Sequence, residues 1–125
     1  MTPGYSCKLR SNASARPIAV YETWSTPRRI VDLTGELVIV ENQNPEHKVG
    51  TILDLPAPVA DYASDCTTLR ITSACSYAHA IRTAAGALNG NASVIELAGT
   101  GASVELFAFR GKWLVRSANA GVSIN

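Results

Sequence analysis

Two histidines, three cysteines and three aspartates are the residues of this sequence best able to do chemistry. His47 and His79 are its only histidines, so a general base that titrates near neutrality has to be one of them. His47 sits in Asn44-Pro45-Glu46-His47-Lys48, a polar turn in which a solvated ring is expected. His79 has no acid near it in sequence to orient it. Cys66, Cys75 and His79 suggest a metal set, but the spacing fits no zinc pattern and a fourth ligand is missing. No metal is therefore expected. Asp54, Asp61 and Asp65 form a conceivable carboxylate site, yet such acids usually cap turns or face water. The sequence has no Gly-rich phosphate loop, no Gly-x-Ser-x-Gly elbow and no His-Glu-x-x-His. Neither an enzyme nor a cofactor is expected.

The third cysteine is Cys7, and an odd count argues for reduced thiols. The start, Met1-Thr2-Pro3-Gly4-Tyr5-Ser6, has no apolar signal core, so a Sec-exported precursor is not expected. No apolar run approaches the roughly 18 residues of a membrane helix. Of the 125 residues, 46% are hydrophobic and 17% charged, which excludes a disordered, highly charged chain. Small and neutral polar residues fill the gap, with 18 Ala, 11 Ser, 10 Thr and 7 Asn. That composition, poor in Leu, Glu and Lys, favours strands over a helical bundle.

Charge is unevenly placed. Residues 1–29 carry Lys8, Arg10, Arg16, Arg28 and Arg29 against Glu22, a balance of +4. The remaining residues carry six basic and nine acidic groups, a balance of −3. Pro3, Gly4, Pro17 and Pro27 punctuate the same segment. Residues 1–29 therefore read as an extended N-terminal arm, with 30–125 as the body. The arm is expected either to dock on an acidic surface, with Tyr21 and Trp24 as anchors, or simply to be solvated. The cations are dispersed and not interleaved with aromatics, so nucleic acid is not an expected partner.

The body reads as strands. Glu36–Val40 is rich in β-branched residues and stops at Asn42-Gln43-Asn44-Pro45. Thr51–Leu55 and Thr68–Thr72 follow, separated by a loop from Pro56 to Asp65. Residues 74–88 stay open between helix and strand. Tyr77, Ile81, Ala84 and Leu88 make a helical stripe, while His79, Ile81 and Thr83 alternate. Ala92–Ala98 and Ala102–Ala108 nearly repeat each other across Gly99-Thr100-Gly101, as in a sandwich or barrel.

Phe109-Arg110-Gly111-Lys112 reads as a two-residue hairpin turn. It sets Phe109 against Lys112, Ala108 against Trp113, Phe107 against Leu114, Leu106 against Val115 and Glu105 against Arg116. One side then holds Val104, Leu106, Ala108, Trp113 and Val115, a core face. The other holds Glu105, Phe107, Phe109, Lys112, Leu114 and Arg116. Such a face is covered either by another subunit or by the chain itself.

Three stretches resemble a β-rich module found at the ends of bacteriophage fibres and in small virion-surface proteins. The first is Leu53-Asp54-Leu55-Pro56-Ala57-Pro58 with Thr68-Leu69-Arg70-Ile71. The second is Ala85-Gly86-Ala87-Leu88-Asn89-Gly90-Asn91-Ala92-Ser93. The third is Gly101-Ala102-Ser103-Val104-Glu105-Leu106 through Arg110-Gly111-Lys112-Trp113-Leu114-Val115. The resemblance spans Ile52 to Val115. It departs from the module at Arg110-Gly111-Lys112, where Asp/Asn-Gly followed by Thr/Asn is usual, and in carrying the arm.

The resemblance implies a trimeric all-β virion protein, and it tips residues 79–85 toward strand. The expected fold is an antiparallel β-sandwich or jelly-roll-like body behind the arm. With 125 residues from Met1, the chain is expected to be one knob and an arm, as suits a capsid decoration (cement) protein. Glu105, Phe107, Phe109, Leu114 and Arg116 would form the trimer interface. Lys8, Arg10, Arg16, Tyr21, Trp24, Arg28 and Arg29 would dock on the major capsid protein at the virion surface, after assembly in the host cytoplasm. The alternative is a tail-fibre or spike tip binding a host receptor or glycan through Tyr62, Tyr77, His79 and the loop acids.

Overall fold

The computed structural model describes residues 18–59 and 66–125. Ten strands build two five-stranded sheets packed face to face. The all-β sandwich expected from the sequence is what forms.

The first sheet runs β1 (Ile18–Glu22), β3 (Gly35–Val40), β5 (Thr68–Ser73), β8 (Ser103–Phe109), β9 (Lys112–Ala118). The second runs β10 (Val122–Ile124), β7 (Val94–Leu97), β6 (His79–Arg82), β4 (Ile52–Asp54), β2 (Arg28–Arg29). From β1 to β6 the chain visits the two sheets alternately. Each return to a sheet arrives in the same direction, so β1–β3, β3–β5, β2–β4 and β4–β6 are parallel. Then β6 and β7 stay in one sheet, and the chain reverses. From there β6–β7, β5–β8, β8–β9 and β7–β10 are antiparallel. The expectation of a wholly antiparallel sandwich is corrected: both sheets are mixed.

The reversal lies in residues 83–93, the first part of which belongs to the 74–88 stretch the sequence leaves open. Its helical stripe yields one tight turn, with Ala87 N–H on Ala84 O at 2.9 Å. Gly86, Asn89 and Gly90 then take positive φ, which ends any helix. Of residues 79–85, which the resemblance tips toward strand, 79–82 are strand and 83–85 are not.

Residues 18–29 correct the picture of an arm. They supply β1 and β2, one edge strand of each sheet. Tyr21 is 6% exposed and belongs to the core. Thr23 is fully buried; its N–H bonds Val40 O at 2.9 Å, and its hydroxyl bonds His47 O and Asn42 N. Trp24 N–H and C=O both bond the Thr51 hydroxyl, at 2.7 and 2.9 Å. A segment whose backbone groups are satisfied by the body is part of the body.

The core is the space between the inner faces. Leu37, Ile39, Leu69, Ile71, Leu106 and Trp113 of the first sheet meet Leu53, Ile81, Ile95 and Leu97 of the second, each 0–1% exposed. The hairpin turn is as expected, with Arg110 at φ 53° and Gly111 at φ 81°. Its register also holds from Phe109↔Lys112 to Leu106↔Val115. It then shifts at a bulge, so that Glu105 pairs with Ser117 and not with Arg116.

Candidate functional site

Because side chains alternate along a strand, every residue that points into the core leaves a neighbour on the outer face. On the first sheet that outer face carries apolar residues in two groups, on β1–β3 and on β8–β9, with Thr68, Arg70 and Thr72 of β5 between them. β1 contributes Ile18 and Val20, 66% and 61% exposed. β3 contributes half-buried Val38 and Val40, and Val38 stands beside Val20 in register. β8 and β9 contribute Phe107 opposite Leu114, with Phe109 one step on, all half-buried. Among the described residues the two sheets are the only layers, so no third sheet lies over this one.

Charges lie between and beside the apolar residues. Arg70 lies between Glu36 and Glu105 in register, and its guanidinium reaches Glu105 at 3.5 Å. The expected Glu105–Arg116 pair is corrected by the bulge, which makes Arg116 the extra residue. Lys112 and Arg116 are exposed and have no ion-pair partner among the described residues. The Arg110 guanidinium lies 5.3 Å from the centre of the Phe109 ring, within cation–π range. The sequence points to the β8–β9 part of this face. It misses Ile18, Val20, Val38 and Val40. Their signal is the alternation in Ile18-Ala19-Val20-Tyr21 and Leu37-Val38-Ile39-Val40, visible only once both runs share a sheet.

The expected docking residues disperse. Lys8, Arg10 and Arg16 lie outside the described residues. Tyr21 is corrected as an anchor: its phenol donates to Asp32 Oδ2 at 2.8 Å and accepts from Val31 N–H at 3.0 Å. Burial pushes that phenol's pKa above its ordinary value, and the Asp32 carboxylate adds to the rise. Trp24, 36% exposed, stacks on His47 with ring centres 3.7 Å apart and planes 8° from parallel. His47 is thus a packing partner as well as a turn residue, and its Nδ1 lies 3.0 Å from the Ser25 hydroxyl. Arg28 sits 5.6 Å from the centres of both the Tyr21 and Trp24 rings and donates to Glu22 O at 3.1 Å. Arg29 is exposed at the edge of the second sheet, beside Asp54 in register.

The candidate chemical residues resolve as follows. Asp54 is held by Arg82 at 2.9 Å, while Asp61, Asp65 and Tyr62 lie outside the described residues. Cys66 is disulfide-bonded and Cys75 is free, so the two do not pair with each other. The expectation that all thiols are reduced is corrected; an odd count says nothing about which sulfurs meet. Among the described residues no group of three His, Cys, Asp or Glu is placed to hold a metal.

His79 and Cys75 do meet, at 3.0 Å between Nε2 and Sγ, and both are buried. The pair resembles a nucleophile and its base, but its hydrogen bonds forbid that use. Thr51 N–H donates to His79 Nδ1 at 3.1 Å, so Nδ1 carries no proton. In the neutral ring the proton is then on Nε2, facing the sulfur. A base that already holds its proton at the reactive nitrogen cannot take one from the thiol there. Burial alone lowers the His79 pKa, which keeps the ring neutral. Being buried, His79 is also corrected as a receptor-contact residue; Tyr77 is half-buried and packs on the core.

Gly50 makes this junction possible. A Cβ there would stand 2.3 Å from Ala78 O, a backbone atom that cannot step aside. Gly50→Ala is expected to lower unfolding free energy by about 1–3 kcal/mol, as read from urea denaturation. Loss of a few tenths would show that β4 and β6 can part at little cost.

One groove of about 470 Å³ lies on the outer face of the second sheet, lined by Gly50, Ile52, Ala80, Glu96 and Ser123 among others. Glu96 is its one carboxylate, and Asn125 reaches it at 3.5 Å. The groove therefore offers no pair of acids. No protein-family model matches the chain, and no curated protein matches it either.

Proposed function

We propose that this chain is a structural protein of a bacteriophage virion, a homotrimeric decoration protein that binds the outside of the capsid and stabilises it. The observation that carries the reading is the outer face of the first sheet, where Ile18 and Val20 stand exposed and Phe107, Phe109 and Leu114 are half-buried with no third sheet among the described residues to cover them. The resemblance of the Ile52–Val115 motifs to virion-surface modules supplies the kind of assembly. The disulfide at Cys66 suits a virion surface, which is an oxidising place. Three copies joined by that face would present Lys8, Arg10 and Arg16 three times over to the major capsid protein. Linked weak contacts of this kind multiply into firm attachment.

Two measurements test the reading together. Native mass spectrometry of the purified chain is expected to give a trimer. Cosedimentation with empty expanded phage heads is expected to show binding, reduced about tenfold or more when Lys8, Arg10 and Arg16 are all replaced by Glu. Substitution is preferable to removing residues 1–29, because that deletion also strips β1 and β2 from the sheets. Binding to host cells, with none to heads, would replace the decoration role by that of a fibre or spike tip.

A further inference from the structure

The outer face of the first sheet is polarised across its strands. At the β1 edge the apolar residues are aliphatic, Ile18 and Val20 with Val38, and the charges are Glu22 and Glu36. At the β9 edge the apolar residues are Phe107 and Leu114, and the charges are Lys112 and Arg116. In the middle, Arg70 and Glu105 neutralise each other. Glu22 is exposed and has no ion-pair partner among the described residues. The nearby Arg28 lies over Tyr21, whose ring is on the core side of β1, opposite to Ile18 and Val20.

Copies that met through their β9 halves alone would bring Lys112 and Arg116 of each copy together, with no acid to answer them. Like charges enclosed in a contact oppose association strongly. We propose instead that the contact joins unlike halves. The Phe107, Leu114, Lys112 and Arg116 half of one copy covers the Ile18, Val20, Val38 and Glu22 half of the next. The occupant of this face is thus a second copy of the chain, recognised by opposite charge around matched apolar surface. The inference rests on the homotrimer reading for its closure. Three sheets facing one axis set each half against a different neighbour, a head-to-tail arrangement that closes into a ring.

The test uses two double variants of the full chain, Ile18→Lys with Val20→Lys, and Lys112→Glu with Arg116→Glu. All four positions are exposed, so folding is expected to survive, and circular dichroism with thermal melting verifies it. Each variant alone is expected to associate about tenfold or more weakly in sedimentation equilibrium. Mixed in equal amounts, they are expected to recover association in part, because a ring of three cannot alternate two variants and at most two of its three contacts then pair opposite charges. The new lysines of one copy then face the new glutamates of the other, and native mass spectrometry should find both masses in one particle.

Several results would overturn the proposal, and they separate it from the trimer reading. A Lys112→Glu, Arg116→Glu variant that associates as tightly as the parent, and more tightly still when mixed with the parent, means that like halves meet. A parent trimer that neither variant disturbs places the interface elsewhere and leaves the trimer standing. A parent dimer with rescue on mixing keeps the unlike-half contact about a twofold axis and rejects the trimer. A parent that is monomeric at every concentration rejects both.

Discussion

Replacing Trp113 by Ala is expected to cost about 3–5 kcal/mol. The ring is wholly buried, and it is among the largest side chains in the core. It also ties three parts of the chain together. The indole N–H donates to Pro56 O at 2.9 Å, holding the segment after β4. Trp113 N–H donates to Ala87 O at 2.8 Å and its C=O accepts from Asn89 N–H at 2.8 Å, holding the 83–93 reversal. Removing the ring leaves a cavity between the sheets and an orphan carbonyl at Pro56. Trp113→Phe keeps most of the apolar area and loses the N–H, so a loss of about 1–2 kcal/mol is expected. Urea denaturation of both variants reads the difference. A Trp113→Ala loss below that of Trp113→Phe would show that the indole is not what joins the sheets.

Local alternation made five strands legible, because a half-buried strand writes its two faces into neighbouring residues. Glu36–Val40 and Ala102–Ala108 are the clearest cases. The hairpin was legible for a second reason: Arg110-Gly111 can supply two consecutive left-handed residues, and that fixes the pairing from Phe109 to Leu106. The register failed at Glu105 because a bulge depends on what lies across the sheet. There Arg70, on a strand 35 residues away, takes the carboxylate.

The parallel pairings were illegible for a related reason. Strand direction is decided by how often the chain crosses between sheets, and no single strand records that. Ile18-Ala19-Val20-Tyr21 looked extended, yet nothing in it names β3 as its neighbour. The bonds that fasten it, Thr23 with Asn42 and Trp24 with Thr51, span 19 and 27 residues. Half of the candidate interface was therefore visible, and the half on β1 and β3 was not. His79 shows the same limit. Its partners Thr51 and Cys75 are ordinary residues in sequence, and their geometry decides its protonation.

His79→Ala is expected to cost about 2–4 kcal/mol, the sum of a small cavity and a stranded donor at Thr51 N–H. His79→Gln keeps polar groups near Thr51 and Cys75 and is expected to lose less. The wild-type residue also makes stability depend on pH, and the sign follows from its burial. The unfolded chain takes a proton at His79 near the ordinary pKa of 6.5, while desolvation lowers the folded value below that. Between the two values the unfolded state binds more protons, so stability falls as pH falls. The contribution of the neutral ring is complete above 6.5 and is lost as pH drops through the window beneath it. The slope there is at most about 1.4 kcal/mol per pH unit. In urea denaturation from about pH 7.5 to 5, the advantage of the parent over His79→Gln is expected to shrink steadily. An advantage constant across that range would falsify the account, because a ring that titrated alike in both states could not be the neutral, backbone-locked group that joins β4 to β6.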